Sequence, residues 1–449
     1  MNRAMDGIAA WEQRWRPFER DQSLALDVDL AARAIDELVE RLHDNYPFFH
    51  PDYAGQMLKP PHPVALAAYL AAARINPNNH ALDGGPATAA LEREVVAQIA
   101  AMFGYHEHLG HLTSSGTIAN LEALWVASRL APGKVIAFSA EAHYTHARMC
   151  ALLGVETSVI PVDARGRLDV AALLDSPDVA RIGAVVVTAG TTATGAVDPI
   201  HEIVPVARER SWRVHCDAAY GGFFSLLASE PEARMDPAPW RAIASCDSVV
   251  VDPHKHGLQP YGCGCVIFRD PAVGALYKHD SPYTYFSSNE LHLGEISLEC
   301  SRAGAAAAAL WVTLRCLPLL PSEGLGAVLL RCRRAALGAT SAARKGLALV
   351  PVVEPELDIV TLAPGPLAGV KASVVSQRSE QLFERAASDP QEPVYLAKWR
   401  VPKTFGRLAM PGLIWDGEDC TVLRSVLMKP EHEQSAAAVI ARLERLSSL

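Results

Sequence analysis

The chain has 449 residues, 50% hydrophobic and 20% charged, which excludes disordered, collagenous and disulfide-scaffold classes. With 41 Lys and Arg against 50 Asp and Glu, the formal charge is −9, so no nucleic-acid partner is expected. Residues 1–20 lack the apolar core of a signal peptide, and the most apolar later run, Ala303 to Leu314, is shorter than the about 20 residues that span a bilayer. No membrane partner is expected either. Nine cysteines without framework spacing read as reduced thiols of a cytoplasmic enzyme.

Residues 1–75 are read as an N-terminal helical arm. Pro60, Pro61 and Pro63 forbid a regular helix around them, so an extended stretch from Tyr46 to Pro63 is expected between two helices, suited to wrapping a partner subunit. Residues 76–315 alternate short apolar runs with helical patterns, the signature of a parallel sheet with crossover helices. Strands are predicted at Lys134–Ser139, Glu156–Pro161, Ala184–Ala189, Arg213–Asp217, Ser248–Asp252 and Cys265–Arg269. Helices are predicted at Ala89–Phe103, Ile118–Arg129, Thr145–Leu153 and Pro199–Arg210, the first bracketed by Thr88 and Glu92 at its start and closed by Gly104. A helix from Ser301 to Leu317 leads into residues 316–449, read as a small α+β C-terminal domain. Its strands are placed at Leu347–Val353, Ile359–Leu362, Arg407–Pro411 and Thr421–Leu427, and its last helix at Glu433–Leu446. The fold class expected is α/β, with a mostly parallel central sheet and flanking helices.

Functional residues in open α/β sheets gather at the carboxyl ends of the strands. Ser115, Gly116 and Thr117 run into a helix and suit an anion, although a simple hydroxyl cap reads the same way. In Glu141-Ala-His143-Tyr-Thr-His146, His143 could stack on an aromatic cofactor, or the segment is a capped helix with two histidines on one face. Thr188-Ala-Gly-Thr191-Thr192 is a strand end with hydroxyls. Asp217 ends an apolar strand and needs a cationic partner if buried, and the following Ala218, Ala219, Gly221 and Gly222 leave room for a flat ring. Helix capping is the rival role for Asp217. Lys255, in Asp252-Pro-His-Lys255-His-Gly, directly follows an apolar strand and is a candidate Schiff-base former. The histidines His106, His108 and His111 lack convergent partners and Cys263-Gly-Cys265 lacks a two-residue gap, so no metal is expected. No phosphate-binding GxxxxGK[ST] occurs.

Together, TSSGTIANLEAL, EAHYTHARM, TAGTTATG, HCDAAYGG and SVVVDPHKHG resemble the pyridoxal-phosphate-dependent group II amino-acid decarboxylases, which include glutamate, aromatic, tyrosine and histidine members. The resemblance covers roughly residues 45–315 well and the C-terminal domain weakly. It implies fold type I, pyridoxal 5'-phosphate as cofactor, a homodimer with sites at the subunit interface, and conversion of an L-amino acid to its amine and CO2. Residue by residue, it implies that Lys255 carries the cofactor as a Schiff base and Asp217 pairs with the pyridine nitrogen. Ala219 would pack on the ring, with His143 on the other face. Ser115, Gly116, Thr117, Ser248 and His254 would hold the phosphate, and Thr191 would lie near the ring oxygen. Tyr283 and Tyr285 compete as the proton donor, with Tyr285 favoured beside the apolar Phe286. Gln56, Met57 and Lys59 match the substrate-lining position. Arg302 and Arg424 match arginines of the pattern near the substrate, with Arg400 and Arg407 as rivals for its carboxylate. A carbon–carbon lyase similar to sphingosine-phosphate lyase, an aminotransferase, and a non-catalytic vitamin-B6-binding protein are the alternatives, and the substrate is not named.

Overall fold

The computed structural model describes residues 2–80, 84–278 and 296–447. Apolar runs of the middle of the chain become a seven-stranded sheet. In chain order its strands are β1 (Leu109–Thr113), β2 (Val135–Ser139), β3 (Thr157–Ile160), β4 (Ile182–Thr188), β5 (Arg213–Asp217), β6 (Ser248–Val251) and β7 (Gly264–Phe268). In space they run β1-β7-β6-β5-β4-β2-β3. The pairs from β6 through β5, β4 and β2 to β3 are all parallel. Only β7 opposes its neighbours, pairing antiparallel with β6 and with β1. β2, β4, β6 and β7 are buried along their whole length, as strands covered on both faces by crossover helices must be.

A second, antiparallel sheet of four strands lies C-terminal to the first: β8 (Leu349–Pro351), β9 (Ile359–Pro364), β10 (Ala397–Pro402) and β11 (Asp419–Val426), in the order β10-β11-β9-β8. The helices Gly324–Lys345, Ala372–Ser388 and His432–Ser447 pack against it. The helix Gly304–Cys316 packs on Pro63–Ile75 and Pro86–Met102. It ties the segment after the large sheet back to the one before it.

The α/β class and mostly parallel sheet agree with the sequence reading, and three local expectations are corrected. Arg407–Pro411 is not a strand: Arg407 lies in the helix Lys403–Ala409, and the strand is β10, which ends at Pro402. There Phe405 is buried and Gly406 lies so close to the Trp415 ring that a Cβ would fall 2.1 Å from it. β1 was not foreseen, because Gly110 and His111 lower its strand propensity. Gly110 is needed where a Cβ would lie 2.7 Å from the Val266 carbonyl oxygen, and His111 points into the core with Nε2 3.1 Å from Glu122 Oε2. Finally, Thr88 and Glu92 do not cap a helix. The helix starts at Pro86, whose missing N–H is no loss there, and both side chains turn inward to a buried network.

Candidate active site

Loops at the carboxyl ends of β2, β4, β5 and β6, with the turn after β1, line one cavity of about 180 Å³. Ser115, Gly116 and Thr117 come from the turn after β1, and His143 and Thr145 from the loop after β2. Thr188, Gly190 and Thr192 follow from β4, Asp217, Ala219 and Tyr220 from β5, and Asp252, His254 and Lys255 from the end of β6. This convergence is dictated by the parallel sheet, whose strand ends all open on one edge.

The turn after β6 holds the cavity's amine. Lys255 Nζ lies 3.0 Å from Asp252 Oδ2, and the Lys255 backbone N–H donates to the Asp252 carbonyl at 2.9 Å. His254 is fixed beside them by a 2.7 Å bond between Nδ1 and the Cys263 carbonyl, and burial lowers its pKa. The helix Gly116–Leu130 starts against the same carboxylate: a Cβ on residue 116 would lie 2.5 Å from Asp252 Oδ2, so only glycine fits. Ser115 caps this helix, its Oγ accepting from the Ile118 N–H at 3.4 Å.

Asp217 is buried, yet it is held ionised. Burial alone would raise its pKa, but the hydrogen bond and charge of His146 and the Ala219 N–H outweigh this and leave it well below the usual carboxylate range. Oδ2 accepts from His146 Nε2 at 2.8 Å and Oδ1 from Ala219 N–H at 3.1 Å. On β5, two residues before Asp217, His215 bonds Asn120 Oδ1 through Nε2 and Ser248 Oγ through Nδ1. Burial pushes its pKa down to about 3, so that ring is neutral. His143 is half-buried, with a pKa lowered mainly by burial, and its Nδ1 meets Thr145 Oγ1 at 2.7 Å. A neutral imidazole with one nitrogen so occupied presents a flat face rather than a charge.

The turn after β4 decides which hydroxyls face the cavity. Gly190 takes φ +103, and a Cβ there would meet Leu357 at 2.8 Å and the Gly221 nitrogen at 3.0 Å. The chain therefore turns sharply, exposing Thr188 and Thr192 to the cavity. Thr191 is buried against Thr194 Oγ1 and the Ala196 N–H instead.

The residue set fits pyridoxal phosphate. An amine for its aldehyde, a carboxylate for a ring nitrogen and a hydroxyl-bearing helix N-terminus for its phosphate open on one cavity. Two cavity-lining oxygens, Asp252 Oδ1 and Thr188 Oγ1, are buried without a hydrogen-bond partner among the described residues, and buried oxygens of this kind call for a ligand or water. Residues 49–345 match the family model described as the pyridoxal-dependent decarboxylase conserved domain. The chain belongs to the pyridoxal-dependent decarboxylase family.

The activity is the family's, pyridoxal-phosphate-dependent decarboxylation of an amino acid. A probable L-tyrosine/L-aspartate decarboxylase from Methanosphaerula palustris is 30% identical over 289 residues, 64% of this chain and 74% of its own length. An L-tyrosine decarboxylase from Enterococcus faecium is 27% identical over 428 residues, covering 71% of this chain and 70% of its own. Among solved structures, Oryza sativa TDC with PLP and tryptamine superposes with a TM-score of 0.78 at 19% identity, over 99% of this chain and 96% of its own. Mouse CSAD in the apo form gives 0.77 at 20% identity, over 98% and 92%. At these identities the structural likeness speaks for the fold.

Within this decarboxylase fold the sequence-predicted residues separate into groups. Ser115, Gly116, Thr117, His143, Asp217, Ala219, His254 and Lys255 come together at the cavity. Ser248 and Thr191 do not line it, since both hydroxyls are taken by neighbours in the protein. Arg302 is placed elsewhere too: its guanidinium pairs with Glu92 and donates to the Leu112 carbonyl at 2.7 Å and the Asn79 carbonyl at 3.1 Å. Arg424 is buried on β11, where Nε donates to the Ala193 carbonyl at 3.1 Å and Nη1 reaches Gln56 Oε1 at 3.5 Å. Met57 packs against the main core, and Lys59 donates to the Met428 carbonyl at 3.1 Å. Arg400 pairs with Asp419 on the surface, and Arg407 is exposed. Tyr283 and Tyr285 lie outside the described residues. Among the described residues no group of His, Cys, Asp and Glu is placed to hold a metal.

Sequence reasoning missed Asp252, Thr192, Tyr220 and His146 as members of the site or its support. Asp252 and Tyr220 stood inside the quoted motifs. His146 stood inside a quoted motif too, in the first turn of the helix Thr145–Leu153 that follows the His143 loop.

Proposed function

We propose that the cavity decarboxylates an L-amino acid with Lys255, Asp217 and His143 as its working residues. The observation that carries this reading is that an amine and a carboxylate held ionised open on one cavity beside a hydroxyl-rich helix N-terminus. Pyridoxal phosphate, when bound, supplies the electron sink that receives the electrons of the bond to the departing carboxylate. Lys255 holds it through its amine, and Asp217 meets the ring nitrogen. His143 and Ala219 bound the flat space between them. The Ser115–Thr117 turn and His254 receive the phosphate with hydroxyl and N–H groups.

Arg424 is the reading's anchor for a substrate carboxylate. Its Nη2 is buried with no hydrogen-bond partner among the described residues, and its other nitrogens meet only a carbonyl and an amide oxygen. A guanidinium so placed favours an incoming anion. Gln56 meets it from the arm, and Met57 follows Gln56 in the chain. Tyr285, with Tyr283 as rival, supplies the proton that replaces CO2 at the substrate carbon.

The working unit in this reading is a homodimer in the cytoplasm. The helices Asn2–Glu12 and Val28–Leu42 bury no residue on the chain, and Leu30, Ile35, Leu38 and Leu42 of the second are each more than half exposed. A second copy of the chain would cover this apolar face, and nine free cysteines suit a reducing compartment. No helix among the described residues is long and apolar enough to cross a membrane.

Incubating the pyridoxal-loaded enzyme with a panel of L-amino acids tests the reading. The names of the relatives put tyrosine and aspartate first. Release of CO2 with the matching amine supports it. Release of an aldehyde or a keto acid without CO2 would favour the lyase or aminotransferase alternatives.

A further inference from the structure

The ring of His146 is fully buried and does not line the cavity. Its Nε2 donates to Asp217 Oδ2 at 2.8 Å, and Nδ1 has no partner among the described residues. The ring's one hydrogen bond there is thus spent on the carboxylate, and because an ionised carboxylate only accepts, Nε2 is the nitrogen that carries the donated proton. The other donor to Asp217 is the Ala219 backbone N–H.

We propose that His146 is a positioning residue which, through Asp217, sets the protonation of the cofactor's ring nitrogen. A buried carboxylate lacking donors takes up a proton, and a protonated Asp217 would meet the ring nitrogen as a neutral acid rather than as the partner of a pyridinium. The Nε2–H of His146 keeps the carboxylate anionic and turns it to the cavity, so the proton shared by Asp217 and the ring stays on the nitrogen. The other titratable groups near the pair are His143 from the loop before the helix of His146, Cys216 and His215 from β5, and Asp252 and Lys255 from the turn after β6. His215 is neutral and its ring nitrogens are engaged by Asn120 and Ser248, so it does not replace His146 as the donor.

The inference rests on Asp217 being the partner of the ring nitrogen, and its test separates the two. The holoenzyme is loaded with pyridoxal phosphate labelled with ¹⁵N in the ring, and the nitrogen resonance is recorded for the wild type and for D217N, H146F, H146N and H146Q. The expected result is a downfield move toward the unprotonated position in D217N, H146F and H146N. Phe lacks a donor, and the amide of Asn falls short of the Nε2 position. Gln carries an N–H near that position, so H146Q should keep the wild-type resonance. Cofactor affinity by equilibrium dialysis should fall about tenfold in H146F or H146N, the scale of one hydrogen bond to a charged group. If H146F does not fold, H146N gives the same reading. A shifted D217N beside unshifted H146F or H146N overturns the role of His146 alone. An unshifted D217N overturns the assignment of Asp217 itself.

Discussion

Asp358, one residue before β9, accepts a 2.8 Å hydrogen bond from His256, one residue after Lys255, and both side chains are fully buried. The same carboxylate accepts from Tyr220 Oη at 2.6 Å, and His256 Nδ1 lies 3.0 Å from the Tyr220 carbonyl. The C-terminal sheet thereby grips two cavity loops at once, the one bearing Ala219 and the one bearing Lys255. Burial alone would raise the Asp358 pKa, and its contacts with His256 and Tyr220 bring it below the usual range.

Asp358→Ala should therefore destabilise the protein by about 3–5 kcal/mol, the scale for removing one partner of a buried pair. Asp358→Asn keeps an acceptor for His256 and should lose less. Urea unfolding of both variants checks this. The alanine variant should also retain cofactor less well than the asparagine variant, although neither change touches the cavity. Midpoints unchanged from wild type in both variants would show that the carboxylate is not what joins the two sheets there.

Lys255 has two roles that substitution can separate. Lys255→Ala should abolish turnover and covalent retention of the cofactor after borohydride treatment. It also strips Asp252 of its ion-pair partner at 3.0 Å, so the apo form should melt earlier than wild type. Lys255→Arg keeps a cation beside Asp252 but cannot form the Schiff base, because its guanidinium stays protonated. It should be inactive and melt near wild type. Substantial turnover in either variant would remove Lys255 from the mechanism.

How much of this was legible in the sequence follows from the range of the forces involved. Asp217 and Lys255 could be read directly, because each polar residue ends an apolar run and a parallel sheet brings such ends to one edge. The register of the threonines could not. Whether Thr191 or Thr192 faces the cavity depends on the left-handed turn at Gly190 and on its close approach to Gly221, and neither shows in a row of hydroxyls. Arg302 could not be read for a different reason. Its partner Glu92 is remote in the chain, and the two are brought into direct contact where Leu112 of β1 and Asn79 each hydrogen-bond to both. β1 itself was hidden by residues chosen for close packing rather than for strand propensity.

Arg424 is the sharpest test of substrate binding. Arg424→Gln should raise KM for the preferred amino acid, lowering kcat/KM by roughly 10- to 100-fold, the worth of a hydrogen-bonded charge pair. The cofactor absorption band should not move, because the described hydrogen bonds of Arg424 go to Ala193 and Gln56 and neither lines the cofactor cavity. Arg424→Lys keeps the charge without the two-pronged fork and should recover part of the loss. A kcat/KM within twofold of wild type in Arg424→Gln would place the substrate carboxylate on another group.

The acid stability of the fold turns in part on His432. It is buried, with Nε2 bonded to the Pro51 carbonyl at 2.9 Å and Nδ1 accepting from the Lys429 N–H at 3.2 Å. A second proton would break the latter bond, and burial, with the nearby Lys429 charge, lowers the pKa from 6.5 to about 4. Between those values the unfolded chain binds the proton and the folded one does not, so this group makes stability fall as pH drops from about 6.5 toward 4 and leaves it unaffected above. One such group contributes up to about 1.4 kcal/mol per pH unit. His215 acts in the same direction. Glu141 and Asp198, pushed up to about 7 by burial, act oppositely: their folded forms hold a proton that the unfolded chain has lost. The wild-type slope is thus a balance of opposing groups. The difference between wild type and His432→Gln isolates one of them, since glutamine can still donate to the Pro51 carbonyl but does not titrate. Urea midpoints at pH 7.5, 6 and 5 should show wild type losing ground to His432→Gln as the pH falls. Parallel pH profiles would mean that His432 takes up its proton in the folded protein as readily as in the unfolded chain.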